Sequence, residues 1–198
     1  GAPVYNAPGP PVWAGRGRFR RPRVPRGWMA MRVTLLGTGT SHGVPTIDCM
    51  LDDYARCPVL ACRKALSDPR YRRGRTSAYV QWDGAAVLID TSQDFYQQVH
   101  ANLVRRIDAV LYTHGHADHI YGLPDIRSYS RRQGGAIPVY GSEETLATLA
   151  GAFDYVFHPP EFRGGGIPSL EPTAMDGPAD VLGKRVIPVP VEHGPLRG

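Results

Sequence analysis

The chain has 198 residues, 42% hydrophobic and 21% charged, a balance that supports a buried core and excludes a wholly disordered polypeptide. It contains no run of 18 or more apolar residues, so no transmembrane helix is expected, and three cysteines are too few for a disulfide-stapled secreted mini-fold. The net charge of +5 is concentrated at the front: Arg16, Arg18, Arg20, Arg21, Arg23 and Arg26 lie in the first 30 residues, which have no Asp or Glu. The remainder carries 17 basic and 18 acidic residues. The body therefore offers no bulk-charge argument for binding nucleic acid or membrane.

Residues 1–30 also hold six prolines and five glycines, and such a segment has little to bury against the entropy of ordering it. A disordered tail is expected there, followed by one domain over 31–198. An Arg-rich arm that touches RNA is the less favoured reading of the tail. It has no continuous apolar stretch of the secretory kind, so a cytoplasmic protein is expected. Met29 and Met31 are alternative starts.

Met31–Leu36 is an apolar, β-branched run ending in Gly37-Thr38-Gly39-Thr40, the pattern of a strand entering a tight turn. Residues 42–76 read as irregular. Ser77–Trp82 and Ala85–Ile89 flank Asp83-Gly84, a strong hairpin signal. A helix is expected over Asp94–Ala101, with Ser92 or Asp94 as its cap. Ile107–Tyr112 reads as a buried strand. A helix (Ile126–Arg132), a strand (Ile137–Tyr140) and a helix (Glu143–Phe153) opening after Ser142 follow. Residues 157–178 read as a long loop, and Val186–Val191 as a last strand ending at Glu192-His193-Gly194. Strands with interspersed helices indicate an α/β or α+β arrangement of sheet covered by helices.

The chemistry is concentrated directly after the Ile107–Tyr112 strand. His114, His116, Asp118 and His119 fall within six residues, with small residues Gly115 and Ala117 between them. Alternate residues of an extended chain point the same way, so His114 and His116 can converge on one ion while Asp118 and His119 turn toward a second. Imidazole nitrogen and carboxylate oxygen are the usual donors to catalytic zinc.

Thr113–His119 resembles the T-H-x-H-x-D-H signature of the metallo-β-lactamase-fold hydrolases. Leu35-Leu36-Gly37-Thr38-Gly39-Thr40-Ser41 and His42-Gly43-Val44-Pro45 resemble the first turn of the phosphodiesterase branch. Ile89-Asp90-Thr91-Ser92, Tyr121-Gly122-Leu123-Pro124-Asp125, Pro138-Val139-Tyr140-Gly141 and Pro190-Val191-Glu192-His193-Gly194 match later landmarks. The branch most similar is that of the phosphoribosyl cyclic phosphate phosphodiesterases, with the tRNA 3′-end-processing endonucleases as neighbours. The resemblance implies an αββα sandwich. It implies His114, His116 and His193 as ligands of a first divalent ion, and Asp118 and His119 as ligands of a second. Zinc is the default and manganese the alternative. Two ions roughly 3.5–4 Å apart lower the pKa of a shared water and hold the non-bridging oxygens of a phosphate ester. Asp118 would also orient, or take the proton from, the attacking water. Asp90 is read either as standing behind the ligands, fixing the motif loop by hydrogen bonds, or as an ordinary turn residue at the strand's end.

The family pattern adds a bridging aspartate and a last histidine after the equivalent of His193, and this chain ends five residues later. The fold is accordingly expected to be incomplete at its C-terminus. The chain by itself is expected to be marginally stable and to hold the second metal poorly, with inactivity among the expectations. His158 is read as a loop residue near the substrate.

Cys49, Cys57 and Cys62 form a C-x7-C-x4-C loop, which suits a structural zinc with a fourth ligand from elsewhere, His42 being one candidate; ordinary reduced thiols are the alternative. The resembled branch has a comparable cysteine loop with closer spacing. Arg63, Lys64, Arg70, Arg72, Arg73 and Arg75 crowd thirteen residues. They read either as a solvated loop or as a device that steers a phosphate ester. The expected function is hydrolysis of small cyclic or diester phosphates by a dinuclear site. The alternatives are a tRNA-processing endonuclease, with nucleic acid as a less favoured partner, and a non-catalytic metal-binding remnant. No membrane partner is expected, and the oligomeric state is left open, a homodimer included.

Overall fold

The computed structural model describes residues 31–57, 60–159, 166–193 and 196–197; the expected tail over 1–30 lies outside them. Six strands form one sheet in the order β1 (Arg32–Gly37), β2 (Ser77–Trp82), β3 (Ala85–Ile89), β4 (Ala109–Leu111), β5 (Ile137–Gly141) and β6 (Leu170–Ala174). The first three pair antiparallel and the last three join in parallel. Parallel pairing needs crossovers. These are supplied by α3 (Phe95–Asn102), then α4 (Ala117–Ile120) with α5 (Arg127–Gln133), then α6 (Glu143–Ala152) with α7 (Asp154–Phe157).

The Asp83-Gly84 hairpin forms as expected. Both residues have positive φ, 45° and 84°, as the favoured two-residue turn demands. Its second strand, β3, is the centre of the molecule, with Val87 and Leu88 fully buried on opposite faces. Leu88, Val110, Val139 and Phe95 belong to the core under the helices, together with Ile120, Leu123, Ile126 and Leu149. Val87, Trp82, Ala109 and Val181 make a smaller core on the other face. The two-stranded ribbon of β7 (Ala179–Val181) and β8 (Lys184–Val186) covers that face, and Trp82 Nε1 donates to the Leu182 carbonyl at 3.3 Å. The result is a mixed α/β fold with helices on one face of the sheet and β structure on the other.

Four expectations are corrected. Residues 42–76 are not irregular throughout: α1 (Ile47–Leu51) and α2 (Ala61–Ser67) form there, with Thr46 Oγ1 accepting from the Cys49 amide to cap α1. The segment 157–178 contains β6. Its Pro172 and its largely exposed side chains hid it, yet both are tolerated on an edge strand. The run Val186–Val191 is not a strand: β8 stops at Val186, because Pro188 and Pro190 have no N–H for a ladder. His193 instead sits in the two-residue strand β9 (Glu192–His193), paired with β10 (Leu196–Arg197). Asp94 occupies the N-cap position of α3 without capping it. Its carboxylate accepts from the Arg75 backbone N–H and guanidinium, at 2.7 and 2.9 Å. Ser142, by contrast, caps α6 through the Thr145 amide. Among the described residues no helix is long and apolar enough to cross a membrane.

Candidate metal centre

β4 delivers the motif to the carboxyl edge of the sheet. Beyond it the chain stays extended through His116, which has φ −67° and ψ 149° and is the N-cap of α4. The single turn of α4 then places Asp118 and His119 one after the other. Gly115 permits this path, since a Cβ there would lie 2.7 Å from Thr148 Cγ2.

Three nitrogens converge. His114 Nε2 is 3.1 Å from His116 Nδ1, and His193 Nε2 is 3.3 Å from the same atom. A tetrahedral zinc with Zn–N bonds of about 2.0–2.1 Å spaces its donors about 3.3–3.4 Å apart, so these separations match the edges of such a site. His114 is buried and His193 exposed, leaving the site open on one side. Asp118 Oδ2 lies 3.3 Å from His119 Nε2, with the His119 ring 4.1 Å from that of His114 between centroids. Among the described residues no third His, Cys, Asp or Glu joins Asp118 and His119 within reach of one ion.

Behind the rings, Asp90 sets the proton positions. Its carboxylate is buried, with 2% exposure. It accepts from the Thr113 N–H and O–H, both at 2.8 Å, and from His119 Nδ1 at 2.7 Å. Because the Thr113 hydroxyl donates to Asp90, its oxygen is free to accept from His114 Nδ1 at 3.0 Å. In their neutral forms both rings therefore carry the proton on Nδ1, with the Nε2 lone pair toward the site. Asp90 holds this geometry with φ 60°, a left-handed conformation in which Asp is one of few tolerated residues. Burial, aided by the neighbouring charges of His119, His116 and His193 and opposed by Asp90, pushes His114 down to about 4, so its ring is neutral at pH 7. For His119 burial works downward, but the Asp90 hydrogen bond and the charges of Asp90 and Asp118 outweigh it and raise the ring's pKa.

The role of Thr113 was not singled out by sequence reasoning. Its signal was its place between a strand end and the first histidine, where a hydroxyl can serve the backbone and a ring at once. Thr91, also fully buried, ties the same layer together: its N–H donates to the His119 carbonyl, and its hydroxyl meets Tyr112 Oη at 2.8 Å.

The second cluster is in the α1–α2 loop. The Sγ atoms of Cys49, Cys57 and Cys62 all lie within 4.8 Å of one another, near the spacing of about 3.8 Å that a tetrahedral zinc–thiolate site imposes. Cys57 and Cys62 are buried, and the Thr46 N–H points at Cys62 Sγ at 3.4 Å. Thr46 lowers the Cys49 thiol pKa, but hydrogen bonding to Cys62, partial burial and Cys57 together raise it. His42 does not join the thiols; its ring is 3.7 Å from Asp48 and largely exposed. His158 ends α7, paired with Asp154 at 2.8 Å.

The description "Beta-lactamase superfamily domain" matches residues 85–198, and the chain belongs to that superfamily. Within it, the chain is similar to a solved diphosphatase of the PhnP family, at 40% identity and TM-score 0.69 over 85% of this chain and 60% of that one. The Zn(2+)-bound PqqB of Methylobacterium extorquens shares the fold at 22% identity and TM-score 0.57, over 78% of this chain and 49% of that one. In sequence, the chain is 35% identical to an octanoyltransferase of Porphyromonas gingivalis over 84% of this chain. It is 34% identical to the coenzyme PQQ synthesis protein B of Rhodopseudomonas palustris over 60% of this chain. It spans 32% and 38% of those two relatives.

Proposed function

We propose that the chain supplies the metal centre of a cytoplasmic phosphodiesterase acting on small cyclic or diester phosphates. The observation that carries this reading is the convergence of His114 Nε2, His116 Nδ1 and His193 Nε2 at zinc-edge spacing, beside Asp118 and His119. The 40% identity to the PhnP-family diphosphatase supports a phosphorylated substrate, with cleavage of a bond to phosphorus. His114, His116 and His193 would hold one divalent ion, and Asp118 and His119 would contribute to a second. Zinc is the first choice and manganese the second. Bound there, the ions would supply an activated water and charge stabilisation for displacement at phosphorus. The chain's own residues prepare this chemistry. Asp90 and Thr113 engage Nδ1 of His119 and His114, so that in the neutral rings Nε2 is the nitrogen left to a metal, and Asp118 would orient the attacking water and receive its proton. Cys49, Cys57 and Cys62 would hold a separate structural zinc.

The test is hydrolysis by the zinc- or manganese-loaded chain. Where the source reading frame continues past Gly198, the extended protein is assayed beside it. Bis(4-nitrophenyl) phosphate and a 2′,3′-cyclic nucleotide are compared with a thioester and a β-lactam. Phosphodiester turnover that disappears in His116→Ala is expected. Good thioester or lactam turnover with none on phosphodiesters would refute the reading.

A further inference from the structure

A second cleft lies between the arginine loop and α3, with a volume of about 410 Å³, inside the range of roughly 300–1,000 Å³ typical of small-ligand sites. Arg72, Arg73 and Arg75 line it, with Asp94, Gln97 and Gln98 from the start of α3 opposite. The charges do not cancel. Asp94 is committed to Arg75, through the 2.9 Å ion pair and the Arg75 backbone N–H. Arg72 and Arg73 have no carboxylate within ion-pair distance among the described residues. Their guanidinium groups are held instead by backbone carbonyls, Arg72 Nε on Ala65 at 3.0 Å and Arg73 Nη1 on Arg70 and Arg72 at 2.6 and 2.8 Å. Those bonds anchor the guanidinium groups of two consecutive residues that line the cleft, while leaving other N–H groups of each without a partner among the described residues. Forks fixed in advance lose less freedom on binding. Two forks lining one cleft suit a tetrahedral dianion, whose several oxygens can accept from different directions, better than a planar carboxylate.

The cleft is tied to the histidine cluster by a short piece of chain. Asp90 contacts His119, and Asp94, four residues on, contacts Arg75. Four residues reach at most about 14 Å, so a ligand that addressed both places would have to span that backbone separation plus the side-chain reach at each end.

We propose that the Arg72–Arg73 cleft is a phosphate-binding subsite distinct from the histidine cluster. It takes either a second phosphate on a diester held at that cluster or free phosphate. Its use by substrate rests on the phosphodiesterase reading; its affinity for phosphate does not.

The first experiment is calorimetric titration of the EDTA-treated full chain with inorganic phosphate. Saturable, salt-sensitive binding is expected. It should weaken by about tenfold or more in Arg72→Gln/Arg73→Gln, the equivalent of one hydrogen bond to a charged group, and remain in His116→Ala. Gln97→Glu places a carboxylate on the exposed opposite wall without touching the arginine loop. It should weaken binding similarly, and it carries the test if the double variant does not fold. Binding that ignores both changes, or no saturable binding, overturns the proposal. The second experiment compares thymidine 3′-phosphate 5′-(4-nitrophenyl phosphate) with thymidine 5′-(4-nitrophenyl phosphate). A KM increase in Arg72→Gln/Arg73→Gln confined to the first ester, with kcat kept, identifies the occupant as the substrate's own second phosphate. If the titration alone moves, the occupant is free phosphate. In a chain without turnover the substrate arm falls away, and phosphate titration by itself supports or overturns the site.

Discussion

Asp90→Asn isolates the proton arrangement behind the histidines. Asn also tolerates the left-handed φ of 60°, so the backbone is spared. The amide oxygen can still accept from the Thr113 N–H. The amide nitrogen, however, then faces the Thr113 hydroxyl and His119 Nδ1, two donors that Asp90 now receives at 2.8 and 2.7 Å. Hydrogen bonds to a charged group contribute about 1.5–3 kcal/mol each. Rotation of the hydroxyl and a tautomer change in His119 recover part of the loss, leaving a net cost of about 3 kcal/mol. In a chain of this size each kcal/mol lowers Tm by about 2–4 °C, so calorimetry of the metal-free protein should show a fall of about 6–12 °C. The recovered tautomer puts the proton on His119 Nε2, where a metal would bind. Zinc affinity, read by competition with a chromophoric chelator, should fall about 10- to 100-fold. Asp90→Ala should lose roughly a further 1 kcal/mol through its left-handed backbone. A Tm within about 2 °C of the parent, with unchanged zinc affinity, would refute the reasoning.

In the EDTA-treated protein, His114 should titrate near pH 4 by NMR. Because its folded pKa lies below the unfolded value of about 6.5, its protonation makes stability fall as pH drops from about 6.5 toward 4. His119, with its raised pKa, acts oppositely: its contribution is present below about pH 6.5 and lost as pH rises through the folded value. An unperturbed His114 midpoint would contradict the burial described. Gly122→Ala should cost about 2 kcal/mol or more in urea unfolding, since its Cβ would press on the Ser92 carbonyl oxygen and lie 2.5 Å from Phe95 Cβ. Gly151→Ala in α6, with open space around it, should gain about 0.5 kcal/mol; equal shifts would show the packing around Gly122 to be loose. In Cys57→Ser, zinc measured by mass spectrometry after dialysis should fall by one ion per chain, and a stoichiometry that does not move would remove the thiol site.

The parts of the fold legible in the sequence were those encoded locally. Asp83-Gly84 announces its hairpin because the turn needs positive φ, and Ser142 announces α6 because an orphan N–H needs an oxygen. Where partners come from far away, local rules mislead. Asp94 looks like a cap until Arg75, 19 positions earlier, takes its carboxylate. The Val186–Val191 run has strand-like side chains, but its prolines remove the donors, while β6 has a weak pattern and is made a strand by β5. The histidine cluster was legible as a motif for the same local reason. The approach of His193 to His116 across 77 positions was implied only by family resemblance, and the linking role of Thr113 needed the geometry of Asp90.

That approach bears on more than chemistry. His193 rides on a two-residue strand, exposed, with little apolar surface to hold it in place. An ion shared by His116 and His193 would close a loop of 77 residues, much as a cross-link does. Closing a loop of that length in the unfolded ensemble is worth about 4.5 kcal/mol. The helical layer has its own buried core and does not depend on that closure. Withdrawing the ion would therefore release the β9 end first, making His193 both clasp and catch for the segment that carries it.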